Sequence, residues 1–322
     1  MRVLPLSASA LVAGCLCWTF PATAFDLQGH RGARGLAPEN TIAAFKRALD
    51  IGVTTIETDV GITRDGVAVI AHDHRLNAAL TRGTDGKWLA AAGPALRSLS
   101  LAELKAYDVG RLDPSSPYAR QWVDQVPSDG ERIPALSELF ELVRISGKPV
   151  RLNLETKLSP HAADETVDAA TFARTIVDAV RKADFAARTT LQSFDWRTLV
   201  EAKRIAPQIR TACLTTEGGN GDTVKADGSG ASPWHAGLSL AKFDGSLPRL
   251  VKAAGCDIWS PFWRNASPER IREAQALGLS VLPWTVNEPA DMETLIDAGV
   301  DGLITDYPDR LRRVLVAKGK AL

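Results

Sequence analysis

Thr54-Thr55-Ile56-Glu57-Thr58-Asp59-Val60 decides how this chain is read. A strand alternates its side chains between two faces, so Glu57 and Asp59 share one face. If that face is the inside of a barrel, two carboxylates at its rim are costly unless paired or metallated. Solvent exposure, or ion pairs with Arg or Lys, are the other ways to satisfy them. Upstream, Asp26-Leu27-Gln28-Gly29 reads as a strand ending in His30-Arg31-Gly32. Downstream, Thr63-Arg64-Asp65-Gly66 is a good turn sequence, and Val67–Ala71 is an apolar run ending in His72-Asp73. That hairpin would bring His72 back to face Glu57 and Asp59. Histidine supplies proton transfer near neutral pH. Glu57 and Asp59 can share one hard cation, and Arg31 can grip a phosphate with a planar fork of donors. These are the parts for metal-assisted cleavage of a phosphate ester.

Further along, Asn153, Glu155 and Lys157 share a face in Leu152-Asn153-Leu154-Glu155-Thr156-Lys157. Glu155 could complete a metal site of oxygen ligands, with Lys157 touching phosphate; a plain Glu–Lys pair at a strand end is the alternative. Trp284 sits at the mouth of a later strand. There it can pack on a carbon-rich substrate surface or fill the barrel top, and Phe194, Trp259 and Trp263 could do likewise. His74 reads as a loop residue pointing elsewhere, and His161 and His235 lie in polar, solvated stretches.

Eight candidate strands alternate with helical patterns: 26–30, 55–60, 150–155, 189–193, 210–214, 257–261, 280–285 and 302–305. The helices fall at 41–50, 136–146, 165–183, 196–206, 246–254, 268–277, 289–298 and 309–317. Eight of each predict an α/β fold, a closed (β/α)8 TIM barrel. An open doubly wound sheet would usually bring a G-x-G-x-x-G loop after the first strand, and Gly29-His30-Arg31-Gly32 is not one. His30, Glu57, Asp59, Glu155, Gln192, Trp259 and Trp284 all fall near the ends of different strands, which converge on one face of a barrel. The stretch from about 73 to 133 is too long for an ordinary connection and reads as an insertion over that face, with a helix at Ser100–Tyr107. Thr216–Leu240, rich in Gly and Ser, reads as a mobile loop.

The 322 residues are 45% apolar and 24% charged with zero net charge. That describes an ordinary globular protein and argues against a nucleic-acid binder. Residues 1–24 read as a signal peptide. Arg2 precedes a short apolar run, and Ala22-Thr23-Ala24 fits the small-x-small cleavage pattern, so the mature chain would span 25–322 and be periplasmic or secreted. A lipoprotein signal at Cys15 is the lesser alternative, because Leu16–Phe20 stays apolar where such signals turn polar. Cys213 and Cys256 remain after cleavage. An exported protein could pair them, and two buried free thiols are at least as good a reading.

The motifs His30-Arg31-Gly32, Pro38-Glu39-Asn40-Thr41, Glu57-x-Asp59-Val60, Thr63-x-Asp65-Gly66 and His72-Asp73 stand in the order and spacing of the glycerophosphodiester phosphodiesterases, which the chain resembles. Leu154-Glu155-x-Lys157, Gln192-Ser193-Phe194, Trp284-Thr285-Val286-Asn287 and Gly302-x-Ile304-Thr305-Asp306-x-Pro308 continue the resemblance to about Leu315. It implies a (β/α)8 barrel with an insertion after the hairpin. It implies Ca²⁺ or Mg²⁺ held by Glu57, Asp59 and Glu155, His30 and His72 as the acid–base pair, and Arg31 with Lys157 near the phosphate. The implied reaction is hydrolysis of a small glycerophosphodiester, such as glycerophosphocholine or glycerophosphoethanolamine, to sn-glycerol 3-phosphate and an alcohol. Its place would be glycerophospholipid breakdown and the scavenging of phosphate or glycerol. A phospholipase D-like or lysophospholipid phosphodiesterase on the same barrel is the rival. A non-catalytic binding protein should lack one of these groups, and none is missing.

Overall fold

The computed structural model describes residues 24–219, 221–224 and 232–321. The signal-peptide reading of 1–24, Ala24 excepted, and the alternative at Cys15 fall outside them. Eight parallel strands run in sheet order β8-β7-β6-β5-β4-β2-β1-β9: β1 (Asp26–Gly29), β2 (Thr55–Ile62), β4 (Arg151–Thr156), β5 (Thr189–Ser193), β6 (Arg210–Thr215), β7 (Ile258–Pro261), β8 (Ser280–Val281) and β9 (Gly302–Thr305). β3 (Ala68–Ile70) turns back antiparallel on β2 through the Thr63–Gly66 turn. The seam between β8 and β9 is closed by backbone hydrogen bonds, from Asp301 to Val281 (3.1 Å), Ile304 to Pro283 (3.0 Å) and Val286 to Ile304 (3.0 Å). The fold is therefore the expected (β/α)8 barrel. β8 is shorter than the sequence suggests, because Pro283 has no N–H to donate and breaks the ladder.

Helices follow the strands on the outside: α1 (Ile42–Ile51), α3 (Leu136–Ser146), α4 (Ala169–Lys182), α5 (Trp196–Ile205), α6 (Leu247–Ala253), α7 (Pro268–Ala276), α8 (Pro289–Asp297) and α9 (Pro308–Ala317). Their ends follow local chemistry. The Thr41 hydroxyl accepts the Ala44 N–H at the start of α1, and Gly52 closes its end in the left-handed region. Each helix buries one apolar face, such as Phe172, Ile176 and Val180 of α4, against the outside of the strands. None of the described helices is long and apolar enough to cross a membrane.

Between His72 and Leu136 the chain folds over one end of the barrel. A small apolar cluster of Val69, Leu76, Leu96, Leu104 and Ile133 ties it to the hairpin. Its helix α2 covers only Leu101–Leu104, opened by the capping box of Ser100 and Glu103. It stops short of Tyr107 because Asp108 pairs with Arg82 instead, by two backbone hydrogen bonds of 2.8 and 3.0 Å. Cys213 on β6 and Cys256, just before β7, form a disulfide, so the free-thiol reading is corrected. Parallel pairing of β6 with β7 brings the two residues together across 43 positions of chain.

Candidate active site

The C-terminal ends of the strands carry the site. His30 follows β1, and its Nδ1 lies 2.6 Å from Asp306 Oδ1, just past β9. Asp306 also accepts from Arg34 Nε (2.9 Å) and Asn287 Nδ2 (2.7 Å). Burial opposes its ionisation, but Arg34 and His30 outweigh this and hold the carboxyl well below its usual range. An ionised Asp306 fixes the proton of neutral His30 on Nδ1 and leaves Nε2 free toward the site, 3.9 Å from Glu57. Burial, reinforced by Arg34 and opposed by Asp306, lowers the His30 pKa to about 4.

The turn after β1 is tight. A Cβ on Gly29 would stand 2.0 Å from the Gly32 carbonyl oxygen, and Gly32 has φ +85°, so neither position accepts a side chain. Arg31 itself has φ 49°. This turns its N–H onto Glu57 Oε2 (2.8 Å) and its guanidinium onto Glu39 (2.5 Å) and Asp59 (3.1 Å). Asn40, at φ 57°, donates from Nδ2 to Asp59 Oδ2 at 2.9 Å.

Glu57, Asp59 and Glu155 converge, each offering an oxygen within 4.8 Å of the others. The β2–β4 register sets Asp59 opposite Glu155. Burial, then repulsion from Asp59 and Glu155, pushes the Glu57 pKa well above the carboxylate range. Burial also raises Glu155, with Asp59 adding to the shift and Lys157 opposing it. Asp59 is held low despite burial by Arg31 and Lys157. Lys157 Nζ lies 2.7 Å from Glu155 and 3.5 Å from Asp59. Asp59 Oδ1 is buried with no hydrogen-bond donor among the described residues. Buried like charges and a carboxylate oxygen that receives no hydrogen bond fit a hard divalent cation, which these three residues could hold.

His72 mirrors His30. Its Nδ1 is 2.7 Å from Asp73 Oδ1, and Asp73 Oδ2 accepts from Asn77 at 2.7 Å. A cavity of about 150 Å³ brings His30, Arg31, Glu57, His72, Glu155, Lys157, Phe194 and Trp284 to one wall system. Asp59 lies buried beneath it. The rings of Phe194 and Trp284 meet edge to face at 5.3 Å. His30, Arg31, Glu57, Asp59, His72, Glu155, Lys157, Phe194 and Trp284 are thus gathered at one end of the barrel.

Other expectations are corrected. Trp259 is fully buried but on the outer face of β7, paired with Cys213 and packed in the core between strands and helices, its Nε1 donating to Thr215 Oγ1 at 3.0 Å, so it does not line the cavity. Trp263 packs against the apolar core under Arg264 and does not line the cavity. His235 is not solvated: it is 1% exposed and stacked on Trp196 at 4.4 Å. His161 is exposed, as expected. His74 turns toward the Lys157 carbonyl at 3.1 Å. The sequence reading gave no role to Asp306, Arg34, Glu39, Asn40 or Asp73. A signal existed for two of them: Asp306 directly follows a strand, and Asp73 directly follows His72.

Two anchored imidazoles beside buried cations and a carboxylate cluster, at this end of a parallel barrel, define a hydrolase of phosphate esters. Residues 30–310 match the glycerophosphoryl diester phosphodiesterase family. The glycerophosphodiester phosphodiesterase of Caldanaerobacter subterraneus subsp. tengcongensis is 32% identical over 90% of this chain and 97% of its own. A crystal structure from Silicibacter pomeroyi DSS-3, assigned to the same family, superposes with a TM-score of 0.81 at 36% identity, over 94% of this chain and 96% of that one. The fold is shared by a phosphodiesterase of Oleispira antarctica, solved with the product sn-glycerol 3-phosphate (TM-score 0.65, 24% identity, 90% and 96% coverage). The chain belongs to the glycerophosphoryl diester phosphodiesterase family and is an enzyme of the phosphoric diester hydrolase class.

His235 supplies a test of the packing. Burial lowers its pKa to about 4, below the 6.5 of an unperturbed histidine. The unfolded chain therefore takes up this proton first as pH falls, so stability present above pH 6.5 is lost between 6.5 and about 4. In urea titrations across that window, His235→Phe should shallow the fall by about one proton. An unchanged slope would place His235 in solvent.

Proposed function

We propose that this enzyme hydrolyses glycerophosphodiesters to sn-glycerol 3-phosphate and an alcohol, with Ca²⁺ or Mg²⁺ held by Glu57, Asp59 and Glu155. The observation that carries the reading is the pair of imidazoles, each with Nδ1 on a carboxylate, opening on one cavity beside that cluster. When bound, the cation supplies positive charge for the phosphoryl oxygens. Arg31 and Lys157 add fixed cations at the same place.

His30, neutral at pH 7 with Nε2 free, accepts the proton of the glycerol 2-hydroxyl as its oxygen bonds to phosphorus. His72 gives a proton to the leaving alcohol as the opposite P–O bond breaks. Asp306 and Asp73 stabilise whichever imidazole is charged. Water then opens the cyclic phosphate, His72 taking its proton while His30 returns one to the 2-oxygen. Each histidine ends as it began. Phe194 and Trp284 give the glycerol carbons an apolar wall. Export to an oxidising compartment is part of the proposal, supported by the Cys213–Cys256 bridge and the cleavage pattern before Phe25.

N-terminal sequencing of exported protein should begin at Phe25, and lipid on Cys15 would overturn that assignment. Chelation should abolish release of glycerol 3-phosphate from glycerophosphocholine, and Ca²⁺ or Mg²⁺ should restore it. Glu57→Gln, Asp59→Asn and Glu155→Gln should each weaken metal binding in a direct titration, whereas full turnover in chelator refutes the metal site. Faster turnover of lysophosphatidylcholine than of glycerophosphocholine would favour a lipid phosphodiesterase instead. His30→Ala and His72→Ala should each lower kcat by roughly 10²–10⁴, with the double variant little worse. Near-normal kcat in both singles would exclude the acid–base pair.

A further inference from the structure

Beyond His72 the catalytic cavity continues into a second one of about 250 Å³, lined by His72, Asp73, Lys157, Leu158, Phe194 and Trp234. The two share His72, Glu155, Lys157 and Phe194, whereas His30 and Trp284 line only the first. A diester whose phosphorus sits at the shared wall therefore has its glycerol beside His30 and its other arm in the second cavity. A third cavity, under the insertion and lined by Leu76, Leu80, Leu96 and Ile133, also touches His72 but measures only about 50 Å³. A cavity of about 150 Å³ holds one benzene. The third cavity is thus too small for a branched headgroup, and the second has room for one.

Trp234 belongs to the 216–240 segment but is held firmly. Its carbonyl accepts the Trp196 N–H at 2.9 Å, and its own N–H donates to Ser232 Oγ at 3.2 Å. Next to it, His235 stacks flat on Trp196, in the first turn of α5. This explains a buried imidazole with no hydrogen-bond partner among the described residues: it serves as a flat ring that fixes the turn. The Trp234 ring stands edge to face with Phe194 at 6.4 Å. Two aromatic rings with the Asp73 and Glu155 carboxylates on the same wall suit a compact cation, the charge of Lys157 being taken up by Glu155 at 2.7 Å and Asp59 at 3.5 Å.

We propose that the second cavity is the subsite for the leaving alcohol, that it takes an alcohol with a cationic head such as a quaternary ammonium, and that Trp234 sets this preference. The proposal rests on the phosphodiesterase reading above. Its test uses three glycerophosphodiesters that differ only in the leaving alcohol: choline, its uncharged isostere 3,3-dimethylbutanol, and methanol. The wild-type enzyme should favour the choline ester over the isostere by roughly 5-fold or more in kcat/KM. Trp234→Ala should lower the choline-to-methyl ratio of kcat/KM by roughly 10-fold, chiefly through KM. Trp234→Phe should keep most of the ratio, and Trp234→Leu, apolar but without a ring, should lose it. Equal rates on choline ester and isostere, or a ratio unmoved by Trp234→Ala, would overturn the subsite while leaving the hydrolase intact. A wild-type enzyme inactive on all three esters would overturn both readings.

Discussion

Three carboxylates buried together at the rim of a barrel are the constraint around which this molecule is arranged. Glu57 and Asp59 are fully buried and Glu155 nearly so. An uncompensated buried ion costs several kcal/mol, so each oxygen needs a donor or a cation. Gln192 and the Arg31 N–H cover the two oxygens of Glu57, at 2.8 Å each. Asn40 and Arg31 cover one side of Asp59, and Lys157 bridges Asp59 and Glu155. Asn153 donates to both Gln28 and Gln192, extending the polar chain into the barrel. Even so, Glu57 keeps a strongly raised pKa. What the cluster still lacks is positive charge, which a divalent cation would supply.

The backbone around the cluster follows from that need. Non-glycine residues rarely adopt positive φ, at a cost on the order of 1–3 kcal/mol, yet Arg31 and Asn40 both do. Each delivers a donor to a buried carboxylate that an ordinary turn would aim elsewhere. The spacing of His30-Arg31-Gly32 and Pro38-Glu39-Asn40-Thr41 therefore has a mechanical meaning. The first turn carries the imidazole, the guanidinium and a backbone donor. The second carries Glu39 for the guanidinium, Asn40 for Asp59, and Thr41 to start α1.

Much of this was legible because it is local. Period-two alternation put Glu57 and Asp59 on one face, and the polar residues at strand ends located the mouth of the barrel. The strands at 189–193 and 302–305 stand where the pattern set them. What escaped is tertiary. His30 and Asp306 are 276 residues apart and meet only because β1 pairs with β9. The cysteines meet only through the pairing of β6 with β7. Trp259 stands near a strand end like a site residue, but its register with Cys213 sets it on the outer face of β7, and which face of a short strand turns inward is fixed only by its neighbours in the sheet. His235 sits among Gly, Ser and Pro, yet its segment returns to the first turn of α5, and contact with Trp196 overrides local polarity.

The division between strands and loops then separates chemistry from recognition without making the loops passive. Tyr118, from the insertion, donates its hydroxyl to Glu39, the partner of Arg31. Arg34 lies 4.3 Å from the ring of Trp122, and Gln125 donates to the Arg34 carbonyl at 2.8 Å. The insertion therefore holds both arginines near His30. The later segment places Trp234 on the opposite side, past His72. The carboxylates stand on β2 and β4, where register fixes them, so the later segment can vary the shape of the mouth without disturbing the carboxylate cluster or His30. The same arrangement sets a limit. Any change in the insertion that moves Tyr118 also loosens Glu39, and through it the guanidinium that compensates Asp59. The insertion is therefore coupled to the electrostatics of the centre through hydrogen bonds and ion pairs, whereas Trp234 reaches it through the uncharged ring of Phe194.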